Sequence, residues 1–136
     1  RIYVAAMALG IAQGALDRLL NRANNDKEFS SNEHVQFTIA EVATRIEAAR
    51  LLTYKAATYL FQMNPDPVLT SMAKYYAAET GTYATERALS LLGLDGALTE
   101  LERMFRDAKI NEIWEGSSEI EELTIYRMLM KKYGGI

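Results

Sequence analysis

The 136-residue sequence contains no cysteine and only one histidine, His34. The lack of cysteine excludes disulfides and thiol chemistry. A di-iron bundle needs Glu-x-x-His pairs, and His34 has no glutamate three residues before it. Serine-histidine catalysis would depend on this same residue, which lies at the polar start of a predicted helix. Phosphate-binding loops of the GxxxxGK type are also missing, and no metal site is predicted.

The chain has no excess of basic charge, since 15 Lys and Arg face 18 Asp and Glu for a formal net charge of -3. Without a basic stripe to neutralise phosphates, nucleic acid is not an expected partner. The longest apolar run is interrupted by Arg1, Asp17 and Arg18 before it reaches the roughly 20 residues that span a bilayer. We therefore expect a soluble protein without membrane insertion. A hydrophobic content of 49% can fill the core of a single domain over residues 1–136.

Apolar residues recur at steps of three and four along most of the chain, which is typical of amphipathic helices. The pattern predicts helices at 2–22, 35–60, 67–91, 99–109 and 118–132, with a loop over the polar segment 21–32. Gly10 and Gly14 in the first helix predict that a neighbouring backbone lies close to it. No segment alternates as a strand does. The predicted fold is all-α, an antiparallel four-helix up-and-down bundle with one additional short helix.

Several of these helix ends carry recognisable signals. Asp66 followed by Pro67 is typical of an N-cap and first turn, and Gly93 predicts the end of that helix. Capping boxes, in which a Ser or Thr precedes a Glu by three residues, predict two more starts: Thr99 with Glu102, and Ser118 with Glu121. At the start of the sequence, by contrast, the helical pattern is already present at Ile2, with neither a cap nor a signal-peptide layout ahead of it. We expect the chain to be a fragment of a longer protein.

One acidic residue stands in an unusual setting, in the segment RDAKINEIWEGSSEI at 106–120. Glu115 lies between Trp114 and Gly116, just before two serines that can start a helix. Its position allows two interpretations: a carboxylate favoured by the positive end of the next helix, or a catalytic base. A base would need an apolar pocket, which raises the pKa of a carboxylate by desolvation. Ile113 and Trp114 would form part of its wall, and Gly116 would allow the backbone to turn the side chain inward.

Four ordered segments resemble the C-terminal helical domain of the acyl-CoA dehydrogenases: ALGIAQGALD (8–17), IAEVATRIEAARLLTYKAA (39–57), SMAKYYAAE (71–79) and RDAKINEIWEGSSEIEEL (106–123). The resemblance implies FAD-dependent oxidation of an acyl-CoA thioester to its enoyl-CoA. Glu115 matches the family base, with Trp114 in the aromatic position of its motif. It would remove the α-proton while the β-hydrogen leaves as hydride to FAD, and its main-chain N–H would be one donor to the developing enolate.

The resemblance also implies which other residues and domains complete the site. The implied cofactor-binding residues are Phe29, Ile110, Ile113, Trp114, Ser117 and Glu119. The implied substrate residues are Arg1, Trp114 and Gly116. An N-terminal helical domain and a middle β-domain would lie outside this chain, and subunits would pair as homodimers or homotetramers. Such enzymes are cytoplasmic in bacteria or archaea and lie in the mitochondrial matrix in eukaryotes. Some family members carry the base one residue before the position that matches Arg1.

The flavin contacts depart from the family pattern. Asp26 stands where an arginine normally meets the cofactor pyrophosphate across the dimer, and Ser30 replaces the glycine of the same Arg-x-x-Phe-Gly motif. Ser90 and Leu94 likewise depart from the family's Gln-x-x-Gly-Gly-x-Gly. A carboxylate beside a pyrophosphate is repulsive. In the last helix, acidic residues stand where the family commonly has Gln, Gln and Arg: Glu119, Glu121 and Glu122.

These departures leave several interpretations open. Lys27 or Arg22 would substitute for the lost arginine, or FAD would be held differently, or a distinct partner subunit would supply the contacts in a hetero-oligomer. Alternatively, the chain is a non-catalytic bundle for subunit assembly that has lost FAD. A related enzymatic alternative is an acyl-CoA oxidase. Glu121 and Glu122 would form a solvated acidic face at the start of the last helix, where the helix dipole favours them.

Overall fold

The computed structural model describes residues 1–134, which form helices joined by short loops and contain no strand. The helices are α1 (Ile2–Asn25), α2 (Lys27–Ser31), α3 (Glu33–Phe61), α4 (Pro67–Ala97), α5 (Glu100–Lys109) and α6 (Ser118–Lys132), with a 3-10 turn at Ile110–Glu112. The predicted all-α class is confirmed. The principal packing partner of the other helices is α4, which contacts α1, α3, α5 and α6.

Three pairs of side chains show how the helices run. Arg1 contacts Ser71 near the starts of α1 and α4, and Arg22 pairs with Asp95 near their ends, so α1 and α4 run in the same direction. Because α3 leads from the end of α1 to the start of α4, it runs in the opposite direction. The short α5 also returns, since Glu100 at its start contacts Arg18 late in α1. The direction therefore alternates along the chain through α1, α3, α4 and α5, whereas α1 and α4 pack against each other in parallel.

The interface between α1 and α4 consists mainly of small side chains. Ala8, Ala77 and Ala84 are fully buried there. A Cβ added at Gly81 of α4 would lie 3.3 Å from the carbonyl oxygen of Ala8, so the two backbones come very close. The sequence predicted such an approach at Gly10, where it is wrong: nothing lies within 4 Å of a Cβ added there. Small residues on both helices therefore bring the start of α1 against α4.

At Gly14 a close neighbour exists, but it is not a backbone. A Cβ added there would lie 2.8 Å from the terminal methyl carbon of Met104 on α5. The prediction is therefore wrong in kind, because a side chain of the short helix fills the space over this glycine.

Two predicted helix boundaries are confirmed at their caps. Asp66 accepts from the amides of Val68 at 2.9 Å and Leu69 at 3.1 Å, directly ahead of Pro67. Thr99 caps α5 through the amide of Leu101 at 3.3 Å. Its predicted capping-box partner, Glu102, instead pairs with Arg106 one turn further along the same helix. An i,i+4 ion pair on the exposed face of α5 has replaced the reciprocal cap.

The predicted end of a helix at Gly93 is confirmed: its φ of 56° and ψ of -130° are not helical, so α4 consists of two helical segments that meet at a kink there. The predicted loop at 21–32 is wrong over most of its length, because α1 continues to Asn25 and Asp26 then caps α2 by accepting from the amide of Phe29. Polar composition alone did not predict that an aspartate cap would restart a helix there.

The 24-residue α1 is long and apolar enough, with a mean hydropathy of 1.2, to pass a length-and-composition test for a membrane span. Contrary to the expectation from the sequence, the charges of Arg1, Asp17 and Arg18 do not prevent this. Eight of its residues are buried in the bundle, among them Ala8, Ala12 and Leu19, and it contacts α3, α4 and α5. This burial is what the central helix of a bundle requires.

Candidate active site

The loop between the 3-10 turn and α6 has an uncommon backbone. Glu115 has a φ of 56° and Gly116 a φ of 116°, and Met63 is the other non-glycine residue with a positive φ within residues 1–134. A left-handed conformation is unfavourable for a residue with a Cβ, so it persists where the surroundings enforce it. The contacts around this loop should therefore explain the conformation of Glu115.

Two buried or half-buried cations hold the loop from beneath. The guanidinium of Arg1 donates through Nε to the carbonyl oxygen of Glu115 at 3.2 Å and through Nη1 to Ser71 Oγ at 3.1 Å. Lys74 Nζ donates to the carbonyl oxygen of Gly116. Both carbonyls thus face the cations, and because a trans peptide directs its N–H away from its C=O, the amides of Gly116 and Ser117 face away from them.

A carboxylate completes this cluster. Glu121 on α6 has no exposed surface, and neither does Lys74. Glu121 Oε1 lies 3.0 Å from Arg1 Nε, although the N–H is aligned with the Glu115 carbonyl, so this is a charge contact and not an aligned hydrogen bond. A Cβ added at Gly116 would collide with Glu121 Oε1. Glycine is therefore needed at 116 both for its backbone and for the space that Glu121 occupies.

The prediction of a solvated acidic face is wrong for Glu121 and holds for Glu122, which is exposed. The capping box predicted for α6 is also wrong, because Ser117 precedes the helix without a side-chain cap and Glu121 points into the cluster. Burial lowers the pKa of Lys74, and the negative charge of Glu121 opposes that shift. A buried carboxylate is favoured here because it offsets two neighbouring cations.

The segment ahead of Glu115 is fixed on α4 as well. Glu112 in the 3-10 turn accepts hydrogen bonds from the hydroxyl of Thr82 and from Lys109. Asn111 is fully buried and donates to the carbonyl oxygen of Ala108 at 3.2 Å. The loop is therefore held at both ends, by Glu112 before it and by the charge cluster after it.

The Glu115 side chain faces outward, where an apolar surface begins. Glu115 and Trp114 line a shallow pocket with Arg1 and with three residues from the first two turns of α1: Tyr3, Val4 and Met7. The exposed fractions of Tyr3, Met7 and Trp114 are 83%, 49% and 39%, large values for apolar side chains. The expectation that Gly116 turns the Glu115 side chain inward is wrong for this chain, since Glu115 is exposed. Ile113 does not line this pocket.

Sequence reasoning missed Tyr3 and Met7. They are four residues apart, so they lie on one face of α1, and that face is not the one that the core uses. An apolar i,i+4 pair on the outer face was the available signal. It was hidden because nearly every position in the first turns of α1 is apolar.

The predicted cofactor-binding residues form two separate groups. Ile110, Ile113 and Trp114 are exposed near the Glu115 loop, at 43%, 56% and 39%. Ser117 and Glu119 lie at the adjoining start of α6, where the Ser117 hydroxyl lowers the pKa of Glu119. The exposed side chains of Ile110, Ile113 and Trp114 offer an apolar surface suited to a flat aromatic ring.

Phe29 lies at the other end of the bundle. The guanidinium of Arg22, near the end of α1, lies 5.7 Å from its ring centre. The 24 residues of α1 extend over about 36 Å, so Phe29 and Trp114 of one chain are separated by most of a helix. Phe29 and Trp114 would therefore contact the same cofactor only as residues of two different subunits.

The cation next to Phe29 is already paired. Arg22 contacts Asp26 at 3.0 Å and Asp95 at 2.8 Å. The hydrogen bond from the Phe29 amide holds the pKa of Asp26 below its ordinary value, and the contact with Arg22 lowers this pKa further. Arg22 therefore does not replace the family arginine with an unpaired charge, and Lys27 is an exposed residue on the first turn of α2. The exposed apolar side chains near Glu115 fit a flavin ring, whereas the cation beside Phe29 is already paired with two carboxylates and so does not fit a pyrophosphate.

This helical bundle has a constrained Glu-Gly loop beside an uncovered apolar pocket, and comparison with known proteins identifies its family. Residues 1–130 match the family model described as "Acyl-CoA dehydrogenase, C-terminal domain". The chain belongs to the acyl-CoA dehydrogenase family.

Individual relatives agree over nearly the whole chain. It is 43% identical to the short-chain specific acyl-CoA dehydrogenase, mitochondrial, of Sus scrofa, over 98% of this chain and 34% of that protein. It is 37% identical to the caffeyl-CoA reductase-Etf complex subunit CarC of Acetobacterium woodii, over 97% and 36%. Butyryl-CoA dehydrogenase from Megasphaera elsdenii superposes with a TM-score of 0.91 at 34% identity, over 96% and 36%. The chain therefore spans about a third of the length of the relatives it matches.

Proposed function

We propose that this chain is the C-terminal domain of an FAD-dependent acyl-CoA dehydrogenase, in which Glu115 removes the α-proton of the acyl-CoA thioester. The observation that carries the proposal is the left-handed backbone of Glu115 at the edge of an apolar pocket. Strained non-glycine residues that the surroundings enforce are concentrated at functional sites. Membership of the family supplies the reaction class.

The chemistry explains why the pocket must be covered by another part of the protein. A thioester α-carbon is a very weak acid, so a carboxylate removes its proton only if the carboxylate is desolvated and the enolate oxygen receives hydrogen bonds. Tyr3, Met7 and Trp114 provide an apolar floor, but on this chain the carboxylate remains in solvent. We propose that a middle β-domain outside this chain, together with the bound acyl group, excludes the water.

In the complete enzyme, FAD when bound would accept the β-hydrogen as hydride. We propose that Ile110, Ile113 and Trp114 contact its ring, because their exposed apolar surfaces adjoin the Glu115 loop. Arg1 would orient the substrate-facing loop through the Glu115 carbonyl. Glu115 would hold the abstracted proton on a carboxylate oxygen.

The decisive experiment is Glu115→Gln in the full-length protein. The substitution should leave a flavin band at about 450 nm unchanged while lowering acyl-CoA oxidation by roughly 10²- to 10⁴-fold, because only the base is lost. Steady-state turnover and the absorbance spectrum measure the two effects separately. The matched control is Glu122→Gln, which removes an exposed carboxylate of α6. Turnover by Glu115→Gln close to that of the control would reassign the base.

A second candidate is a bundle that keeps the fold for subunit assembly and has lost FAD. It is favoured by the end of the molecule near Phe29, where Asp26 and Asp95 neutralise Arg22. The spectrum of the purified full-length protein separates the two candidates. A protein that folds and assembles without any flavin band, even after addition of FAD, would support this second candidate.

We also propose that subunits pair. Large apolar side chains are exposed on the outer surface of α3, including Phe37 at 68% and Leu51 at 63%. A second group is exposed on α6, where Tyr126 is 61% exposed. Patches of this kind mark interfaces with other domains or subunits.

A further inference from the structure

The sulfur of this chain is confined to methionine, since the sequence has six methionines and no cysteine. Reversible oxidation of a side-chain sulfur must therefore take place on a methionine, where the thioether is converted to its sulfoxide. Three of the six side chains have large exposed fractions: 89% for Met63, 49% for Met7 and 36% for Met130. These are the methionines that an oxidant in solution reaches most easily.

The three exposed methionines lie in different places. Met63 lies in the loop after α3, and Met130 lies near the end of α6. Met7 lies in the second turn of α1 and lines the pocket that contains Trp114 and Glu115. None of the other five methionines lines that pocket, and all six lie in the part of the chain that the structure describes. Of these side chains, Met7 is therefore the one whose oxidation would change the surface beside the proposed base.

The surface around Met7 suits an apolar group. Val4 has no polar side-chain atom, and the guanidinium of Arg1 already donates to the carbonyl oxygen of Glu115 at 3.2 Å and to Ser71 Oγ at 3.1 Å. A sulfoxide oxygen on Met7 would be hydrated in the open pocket. An apolar acyl group that covers this oxygen must displace its water without replacing the hydrogen bonds, which weakens binding.

We propose that Met7 is an oxidation site at which hydrogen peroxide forms a sulfoxide, and that this sulfoxide reversibly weakens the binding of the acyl group. One peroxide oxygen forms a bond to the methionine sulfur, while the O–O bond breaks and the other oxygen leaves as water. The sulfur loses two electrons and the peroxide gains two. Methionine sulfoxide reductases reverse the change. The inference rests on the proposed function, because it takes the pocket beside Glu115 to hold the acyl group.

Oxidation of Met7 leaves the Glu115 carboxylate and the charged contacts beneath its loop chemically unaltered. The KM for acyl-CoA should therefore rise by roughly five- to a hundredfold, which is the effect of covering one unpaired hydrogen-bonding group, while kcat changes less. The flavin band at about 450 nm should be unchanged. A rise in KM with an intact flavin band separates oxidation of the pocket from unfolding of the protein.

The test treats the full-length, flavin-loaded protein with graded hydrogen peroxide, removes the excess with catalase, and measures the turnover of butyryl-CoA. Peptide mass spectrometry of the same samples gives the fraction of sulfoxide at each methionine. The rise in KM should follow the sulfoxide at Met7 and not that at Met63, which is the more exposed of the two. Subsequent treatment with the two methionine sulfoxide reductases should lower the KM again as the sulfoxide at Met7 disappears.

The matched variants are Met7→Leu and Met63→Leu, because leucine has nearly the volume of methionine and no sulfur. Each variant is compared with its own untreated sample, so that an altered KM of untreated Met7→Leu does not enter the comparison. Peroxide should no longer raise the KM of Met7→Leu, whereas Met63→Leu should respond as the parent protein does. If Met7→Leu does not fold, the recovery of the parent protein under the reductases decides.

Three results would overturn the inference: a fully formed sulfoxide at Met7 with an unchanged KM, an equal rise in the KM of peroxide-treated Met7→Leu, or an unoxidised Met7 when Met63 is completely oxidised. The proposed function fails by a different result, which is undiminished turnover by Glu115→Gln. A dead Glu115→Gln enzyme together with a peroxide-insensitive KM of the parent protein would reject only the role of Met7.

Discussion

At the start of α1, Lys74 and Glu121 have no exposed surface and lie with Arg1 directly beneath the Glu115 loop. At the end of the same helix, Arg22 pairs with Asp26 and Asp95 while all three side chains remain partly in solvent. Each end thus carries a small cluster of opposite charges that connects α1 to a neighbouring segment. The clusters differ in how much water reaches them.

That difference decides what each cluster can do. A buried charge that loses its partner cannot be solvated, so the cluster near Glu115 has one stable arrangement and fixes the loop. Exposed pairs exchange partners with water at little cost, so the Arg22 cluster can adjust to a neighbouring molecule. The rigid end is where we propose chemistry, and the adjustable end contains Asp26, where the sequence predicts a departure from the family pattern.

The largest effect should follow from breaking the buried cluster. Lys74→Met removes the cation that binds the Gly116 carbonyl and leaves Glu121 with Arg1 alone, so the full-length protein should lose about 3–5 kcal/mol of stability. Urea unfolding monitored by circular dichroism measures this loss. Arg22→Met is the matched substitution at the exposed end and should cost only a small fraction as much. Equal losses at the two ends would show that water reaches the Glu121 cluster.

Replacing either of two glycines that have a positive φ by alanine should have an intermediate effect on stability. Gly116→Ala must strain the backbone and also displace Glu121, so it should cost about 2–4 kcal/mol. Gly93→Ala at the other end has nothing within 4 Å and should cost about 1–2 kcal/mol from backbone strain alone. Midpoints of thermal unfolding compare the two. If Gly93→Ala is the more harmful substitution, the space between Gly116 and Glu121 is not the constraint.

The fold was predictable wherever local chemistry and burial agree. Asp66 and Pro67 start α4 as expected, because the cap needs only the residues beside it. The close approach was assigned to Gly10 although it occurs at Gly81, because which glycine faces a neighbour depends on helix rotation within the bundle. The polar composition of 21–32 concealed α2 for a different reason: its start depends on a single side-chain hydrogen bond from the Phe29 amide to Asp26.

The candidate site was predictable only in part. The motif around Glu115 identified the loop, and the resemblance named Arg1 and Trp114, which share its pocket. Lys74 and Glu121 escaped because each looks like an ordinary surface charge in the sequence, 47 residues apart by their numbers. Their burial results from the packing of α6 against α4. Long-range charge pairs of this kind have no local sequence signal.

The smallest effect concerns the exposed end and flavin binding. Asp26→Asn keeps a residue that caps α2 equally well but removes a negative charge from the place where we expect the family to have an arginine. If the pyrophosphate of FAD meets this end in a neighbouring subunit, the substitution should tighten FAD binding by roughly three- to tenfold, since it removes a repulsion in largely solvated surroundings. Titration of the flavin-free full-length protein with FAD measures the dissociation constant.

Asp17→Asn on the exposed face of α1 is the control, and it should leave FAD binding unchanged. Raising the salt concentration should reduce the advantage of Asp26→Asn, because the repulsion between exposed charges is screened. Equal affinities for the parent protein and Asp26→Asn at low salt would mean that Asp26 does not face the cofactor, and that the exposed end is free of the constraint that its departure from the family pattern implies.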